Sequence, residues 1–235
     1  MEIINSSLHI RFHHLDSMKK GTSGSKSFCG DGSTLFPMQI LVVLAHPDDT
    51  SFNHAIAKIV CETLDANKHQ VKFIDLYKEG FDPLLPASEF SKDAILDRTI
   101  EQHCLILSEA DGIVIVHPNW WGMPPAILTG WIDRVFRPGR AYRFVEGDSG
   151  EGAPEGLLKA GAAVVLNTSN TKEAREGEVF GDPLERIWKD CVFGLCGVHR
   201  VYRKMFRVIV TSTCEQRVAW LEETRGIIHE YFPAG

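Results

Sequence analysis

The stretch Asp111-Gly-Ile-Val-Ile-Val-His-Pro-Asn-Trp-Trp-Gly-Met-Pro-Pro-Ala-Ile-Leu-Thr-Gly-Trp-Ile-Asp-Arg-Val-Phe136 reads as a short apolar strand, a loop of aromatics and prolines, and a helix. Residues 112–117 give the strand and residues 125–136 the helix, with Pro125 near its first turn. A strand that runs out into Trp120 and Trp121 is an odd thing to build, because large aromatics in a loop find little to bury against. A flat aromatic ligand would give them a partner. So would a neighbouring subunit, since tryptophan is common at interfaces.

Working outward, residues 39–45 form a continuous apolar run suited to a strand buried on both faces. The helix after it carries Ile56, Ile59, Val60, Thr63 and Leu64 on one stripe. A second strand is expected over residues 71–76, then a long loop with Gly80, Pro83 and Pro86, then a helix over residues 94–108. Beyond the opening stretch lies an acidic, glycine-rich loop over residues 146–156, and a fourth strand over residues 162–166. Leu184, Ile187, Trp188, Cys191, Val192 and Leu195 make a helical stripe ending near Gly197. A fifth strand falls within residues 200–210, where Arg and Lys suggest an edge. Thr213 and Gln216 have capping-box spacing for a last helix reaching about Tyr231. Strands alternating with helices, with no internal repeat, predict the α/β class: a doubly wound, five-stranded parallel sheet with helices on both faces.

Composition narrows the partners. The chain has 235 residues, 44% hydrophobic and 24% charged, enough for one α/β domain with a sizeable core. A net charge of −6 argues against a nucleic-acid backbone as the main partner. No apolar run approaches the ~18 residues of a membrane span, and no secretory pattern is present. Six scattered cysteines without a Cys-x-x-Cys pair fit reduced thiols in a cytoplasmic protein. Residues 1–37, rich in Ser, Gly, His and Lys, are expected to be a flexible leader outside the fold, with the domain over residues 38–235 and translation beginning at Met38.

Ligands of such sheets bind at the carboxyl ends of the strands, near the point where strand order reverses. Three loops should meet there. The first, His46 to Asn53, is hydroxyl-rich and opens a helix. Its unpaired amides and the helix dipole favour an anion, to which His46, Thr50, Ser51 and Asn53 can donate. Ser51 or Asn53 could equally be a plain helix cap, and Asp48 and Asp49 oppose a phosphate unless they point away. The second loop offers Asn119 beside Trp120 and Trp121. The third, Asn167-Thr-Ser-Asn-Thr171, offers amides and hydroxyls, or is a simple turn.

Ala45-His-Pro-Asp-Asp49 also resembles the metal-binding opening of zinc-dependent N-acetylglucosaminyl deacetylases. That resemblance implies a zinc ion held by His and Asp with a second Asp as base. A Glu usually follows the two aspartates there, where Thr50 stands here. A later histidine ligand would have to come from His117 or His199, neither of them in a His-x-x-His pair, since His103 sits within a helix stripe.

Taken together, the motifs resemble the quinone reductase (DT-diaphorase) family of flavodoxin-like flavoproteins, the flavodoxin-2 group. The matching stretches are Ile40-Leu-Val-Val-Leu-Ala-His46 with Thr50-Ser-Phe-Asn53, Asp75-Leu-Tyr77 with Phe81-Asp-Pro83, Ala110-Asp-Gly-Ile-Val-Ile115, and residues 125–136 followed by Ala141-Tyr142. The resemblance covers residues 38–232 and implies a flavin, FAD or FMN with a lean to FAD. By position, His46, Thr50, Phe52 and Asn53 would hold its phosphates. Pro118, Asn119, Trp120 and Trp121 would lie along the isoalloxazine, and Asn167, Thr168, Ser169 and Asn170 would bond the ring edge. It further implies a homodimer that takes hydride from NAD(P)H and passes it to a quinone or similar small acceptor in two half-reactions. Some relatives are instead flavin-bound ancillary proteins of potassium-efflux systems. The animal enzymes carry Thr-Thr-Gly-Gly where this chain has Asn-Thr-Ser-Asn170. Their relay Tyr and His have no clear counterpart, and Arg175 and Phe180 stand in that region.

Overall fold

The computed structural model describes residues 37–91, 93–145, 152 and 154–234. The expected leader lies, apart from Pro37, outside the described residues, as does most of the acidic loop. The first half alternates as β1 (Gln39–Leu44), α1 (Phe52–Ala66), β2 (Gln70–Asp75), α2 (Arg98–Glu109), β3 (Gly112–Pro118) and α3 (Ala126–Val135). A short antiparallel ladder of β4 (Tyr142–Arg143) and β5 (Glu155–Gly156) precedes β6 (Ala162–Ser169). Then come α4 (Pro183–Arg186), β7 (Val201–Arg207) and α5 (Cys214–Tyr231). Five strands pair in parallel in the order β2-β1-β3-β6-β7, so the order reverses beside β1 and β3, and β7 is an edge.

Side chains alternate across each strand, and this splits the core into two layers. Leu41, Val43, Ile113, Ile115, Ala163 and Val165 pack with α2, α3 and the segment after α4. Ile40, Val42, Val114, Val116, Val164 and Leu166 pack under α1 and α5. Each large apolar side chain buried this way is worth about 1.5–3 kcal/mol, which is why the strands read as unbroken apolar runs. Gly112 is required by packing: a Cβ there would lie 2.3 Å from the Phe232 ring that closes the second layer. Gly130 has the same role on the other side, where a Cβ would lie 2.2 Å from the Pro83 carbonyl oxygen. That close approach seats the loop after β2 on α3. Arg134 then clamps it, donating to Glu89 at 3.1 and 2.5 Å and to the Asp82 carbonyl at 2.6 Å.

Several elements depart from their expected bounds, each for a physical reason. The helix expected from residue 94 starts at Arg98, because the Asp97 carboxylate accepts from Thr99 N at 2.8 Å and fixes the cap. The stripe expected over residues 184–195 is not one α-helix. After α4 the chain widens into a π-helical segment, Ile187–Gly194. Leu184, Trp188 and Phe193 stay buried at spacings of four and five, whereas Cys191 and Leu195 turn outward. The fourth strand runs three residues past Leu166, through Ser169, all of it buried. Its polar end was expected to be loop. The last helix matches its expected cap, with Thr213 and Gln216 bonded reciprocally. The five described cysteines are free. Burial pushes the Cys61 thiol up to about 12 and those of Cys104 and Cys196 up to about 11, so these three stay neutral.

Candidate active site

The strand ends bring the three predicted loops into contact with one another. Ser51 caps α1, its Oγ accepting from His54 N at 3.4 Å. The same hydroxyl lies 3.0 Å from His54 Nδ1, and His54 Nε2 lies 3.3 Å from Asp75 Oδ2. Sequence reading missed His54, although Asp75 stood in a quoted motif. Asp48 accepts from both Thr50 N (2.9 Å) and Thr50 Oγ1 (2.7 Å), and the Thr50 side-chain bond is the main reason its carboxyl sits below the usual range. The Asp48 carboxylate thus holds the donors that Thr50 was expected to offer an anion. The Phe52 ring packs against Phe206 and Trp220, with centroids 6.3 and 5.9 Å away, which leaves only its main chain to serve the crevice. The His46 ring is 6.1 Å from Trp120, joining the first loop to the second, and burial pushes its imidazole below the ordinary value.

The second loop is a tight two-residue hairpin. Trp120 and Met123 exchange backbone bonds of 3.1 and 3.0 Å around Trp121 and Gly122, whose φ values are 60° and 74°. A turn with two positive φ angles suits Asn-Gly and strains a tryptophan. Asn119 stabilises it, accepting from Gly122 N at 3.0 Å, while its own N–H donates to the Thr168 carbonyl at 2.7 Å. Trp121 ends up 90% exposed. It lines a cavity of about 680 Å³ together with Asn119, Asn170, Arg175, Glu176 and Phe180. The expected Arg175 is exposed on that cavity, its guanidinium 5.6 Å from the Phe180 ring centroid.

Below the crevice the polar end of β6 is spent inward. Asn53 Nδ2 donates to Thr168 Oγ1 at 2.9 Å, tying the first loop to the third. Asn167 is fully buried, with Nδ2 2.8 Å from His117 Nε2 and Oδ1 3.2 Å from Arg203 Nη1. Trp188 Nε1 donates to the same His117 Nε2 at 2.9 Å, and His117 Nδ1 lies 2.8 Å from the Pro118 carbonyl. These partners define a neutral imidazole with hydrogen on Nδ1, and burial pushes its pKa down to about 4. Arg203 continues the network to Glu185 at 2.7 Å and to Asp182. Asn167 therefore fixes the floor with its side chain. Ser169 Oγ accepts from Thr171 N at 3.0 Å and Asn170 Oδ1 from Val210 N at 2.9 Å, so these two shape the loop as well.

The residues a zinc centre would need do not converge. His117 is consumed in the floor, and His103 is buried with Nδ1 accepting from Trp131 at 3.2 Å. Among the described residues no three His, Cys, Asp or Glu side chains form a metal-binding group. No helix among them is long and apolar enough to cross a membrane.

Residues 38–223 match the family model described as Flavodoxin-like fold, and the chain belongs to that family. Within it the chain groups with NAD(P)H oxidoreductases of the quinone-reductase kind. An uncharacterized NAD(P)H oxidoreductase of Haemophilus influenzae is 33% identical over 190 residues, covering 79% of this chain and 91% of that one. The ribosyldihydronicotinamide dehydrogenase [quinone] of Mus musculus is 27% identical, covering 82% and 93%. The solved FMN-dependent NADH-azoreductase of Bacillus anthracis, in complex with FMN, has a TM-score of 0.66 at 17% identity, covering 82% and 98%. That last likeness establishes shared fold alone.

Proposed function

We propose that this chain is a flavin-dependent oxidoreductase that takes hydride from NAD(P)H and hands it to a quinone or similar small acceptor, both partners using one crevice in turn. The observation that carries the reading is Trp121: a bulky side chain, 90% exposed, held in a left-handed backbone conformation beside a 680 Å³ cavity at the strand ends. Strain and exposure of this kind persist where surrounding structure enforces them for a purpose. A planar ring is the ligand that would bury that indole.

The donor set fits a flavin. Of the first-turn amides of α1, that of His54 is taken by the Ser51 cap, and those of Phe52 and Asn53, with His46, suit its phosphate; Thr50 joins them once Asp48 releases it. Asn119, Trp120 and Trp121, beyond Pro118, would flank the ring, and the main chain of Thr168, Ser169 and Asn170 would meet its edge. Bound there, the flavin would supply the two-electron carrier that no side chain provides. The protein's own work is positioning. His117, Asn167 and Trp188 hold the strand ends rigid, the Asn53–Thr168 pair fixes the spacing between two loops, and the Trp120–Trp121 hairpin would cover a bound ring against water. Arg175 brings a positive charge to the mouth, suited to a reduced anionic ring or to a phosphate of the donor. FMN in a protein of the same fold and the resemblance of the first loop to FAD-binding enzymes support the two candidate flavins respectively. A homodimer in the cytoplasm completes the reading.

An absorbance spectrum of the purified protein, with NADH or NADPH then added under anaerobic conditions, tests it. Flavin bands that bleach with either nucleotide and return with a quinone are expected. A colourless protein that takes up neither FMN nor FAD would overturn it. Flavin that never bleaches would favour the ancillary-protein reading.

A further inference from the structure

One group in the cavity wall has no use in the account above. Glu176 sits in the π-helical turn Arg175–Val179 and is 1% exposed. Its Oε1 is buried without a hydrogen-bond partner, and its carboxylate enters no ion pair among the described residues. Buried charged oxygens are ordinarily paired or hydrogen-bonded, because giving up water for nothing is costly. The other such atom among the described residues is Asp182 Oδ1, but there the second oxygen is held by Arg203. Arg175, the neighbouring cation, is drawn to the Phe180 ring. The turn cannot simply swing Glu176 outward. Its N–H donates to the Lys172 carbonyl at 3.0 Å and its carbonyl accepts from Asp182 N at 2.9 Å.

A carboxyl oxygen that lacks a hydrogen-bond partner is an open acceptor, so Oε1 selects a ligand that donates. The two partners proposed for this cavity differ in that respect. A simple quinone presents carbonyl oxygens, which a carboxylate repels. The nicotinamide ring carries a carboxamide with two N–H donors. We propose that Glu176 accepts a hydrogen bond from the nicotinamide carboxamide, which makes it a specificity-determining residue for the reductant. This rests on the redox reading of the preceding subsection.

The test compares NAD(P)+ with its 3-acetylpyridine analogue, in which a methyl group replaces the amide nitrogen and the ring carbonyl is kept. Dissociation constants are read from quenching of tryptophan fluorescence in the flavin-loaded protein, since Trp121 lines the same cavity. The wild type should bind the nicotinamide form about tenfold more tightly, the worth of one well-made hydrogen bond. Glu176→Leu should bring the two within about twofold, and Glu176→Gln, which keeps an accepting oxygen, should retain part of the preference. Equal binding by the wild type would mean that only water serves this oxygen, and the proposal falls. A preference that survives in Glu176→Leu overturns it equally. Should the leucine variant not fold, the wild-type comparison and Glu176→Gln decide. Anaerobic bleaching by NAD(P)H, recorded separately, tells failure of the redox reading from failure at Glu176.

Discussion

The floor and the rim of the crevice invert the usual sorting of side chains. On the floor, His117, Asn167 and the Arg203 side chain are polar yet almost wholly buried, with exposures of 0, 0 and 4%. On the rim, Trp121, Met123 and Phe180 are apolar yet exposed. The floor is affordable because its donors and acceptors are matched, so that it holds one geometry. The rim leaves most of its apolar surface exposed among the described residues. Buried polar groups that satisfy one another belong to the scaffold, whereas unpartnered groups at the surface of a cavity point to a ligand.

The sharpest way to break the floor is to protonate it. The His117 pKa of about 4 stands below the ordinary 6.5, so between those values the unfolded chain binds a proton that the folded chain refuses. Its contribution is complete above pH 6.5 and is lost as pH falls toward 4, amounting to roughly 3 kcal/mol. A charged imidazole would also set an N–H against the donors of Trp188 and Asn167. Urea unfolding at pH 7 and pH 5 should show a steep acid loss in the wild type and a flatter one in His117→Gln. Burial lowers the pKa of His46 and His103 too, so the contribution is read from the difference between the proteins. Equal slopes would show that His117 is not held neutral by this network.

Removing the far end of the floor should cost less. Arg203→Leu strips Asn167 Oδ1 of a donor and leaves Asp182 and Glu185 without their shared cation. Those two carboxylates are partly exposed, at 26 and 37%, so water recovers some of the loss. A destabilisation of about 2 kcal/mol is expected from the urea midpoint. No measurable change would mean the arginine is a surface charge with no hold on Asn167.

The same contrast explains what was legible in the sequence. The sheet was readable because strands buried on both faces must be continuously apolar, and Ile40 to Leu44 and Ile113 to Val116 are. The end of β6 was not, because Asn167, Thr168 and Ser169 look like loop residues until His117, Asn53 and Arg203 arrive from distant positions to satisfy the first two. The helical stripe after Pro183 misled for a related reason: a π-helical widening moves Cys191 and Leu195 off the face that a 3.6-residue period assigns them. The topology sets the three loops at the carboxyl ends of β1, β3 and β6, where the strand order reverses. What each side chain does there was less visible. Asp48 occupying the Thr50 donors and the Glu176 Oε1 atom buried without a hydrogen-bond partner are facts of three dimensions with no signature in local composition.

The rim gives the smallest effect on stability and the opposite sign. Trp121 has φ of 60°, a region that suits Asn or Gly far better than a bulky side chain. Its indole is 90% exposed and gains little from packing. Trp121→Asn should therefore raise stability by up to about 1 kcal/mol, since left-handed backbone strain in such a residue costs of that order or more. The same change should weaken retention of flavin, measured as flavin released per protein after gel filtration. A variant that is both more stable and emptier would show a strained residue kept for its ligand. One that is more stable and equally loaded would make the hairpin an ornament of the surface, and the contrast between rim and floor would lose its functional meaning.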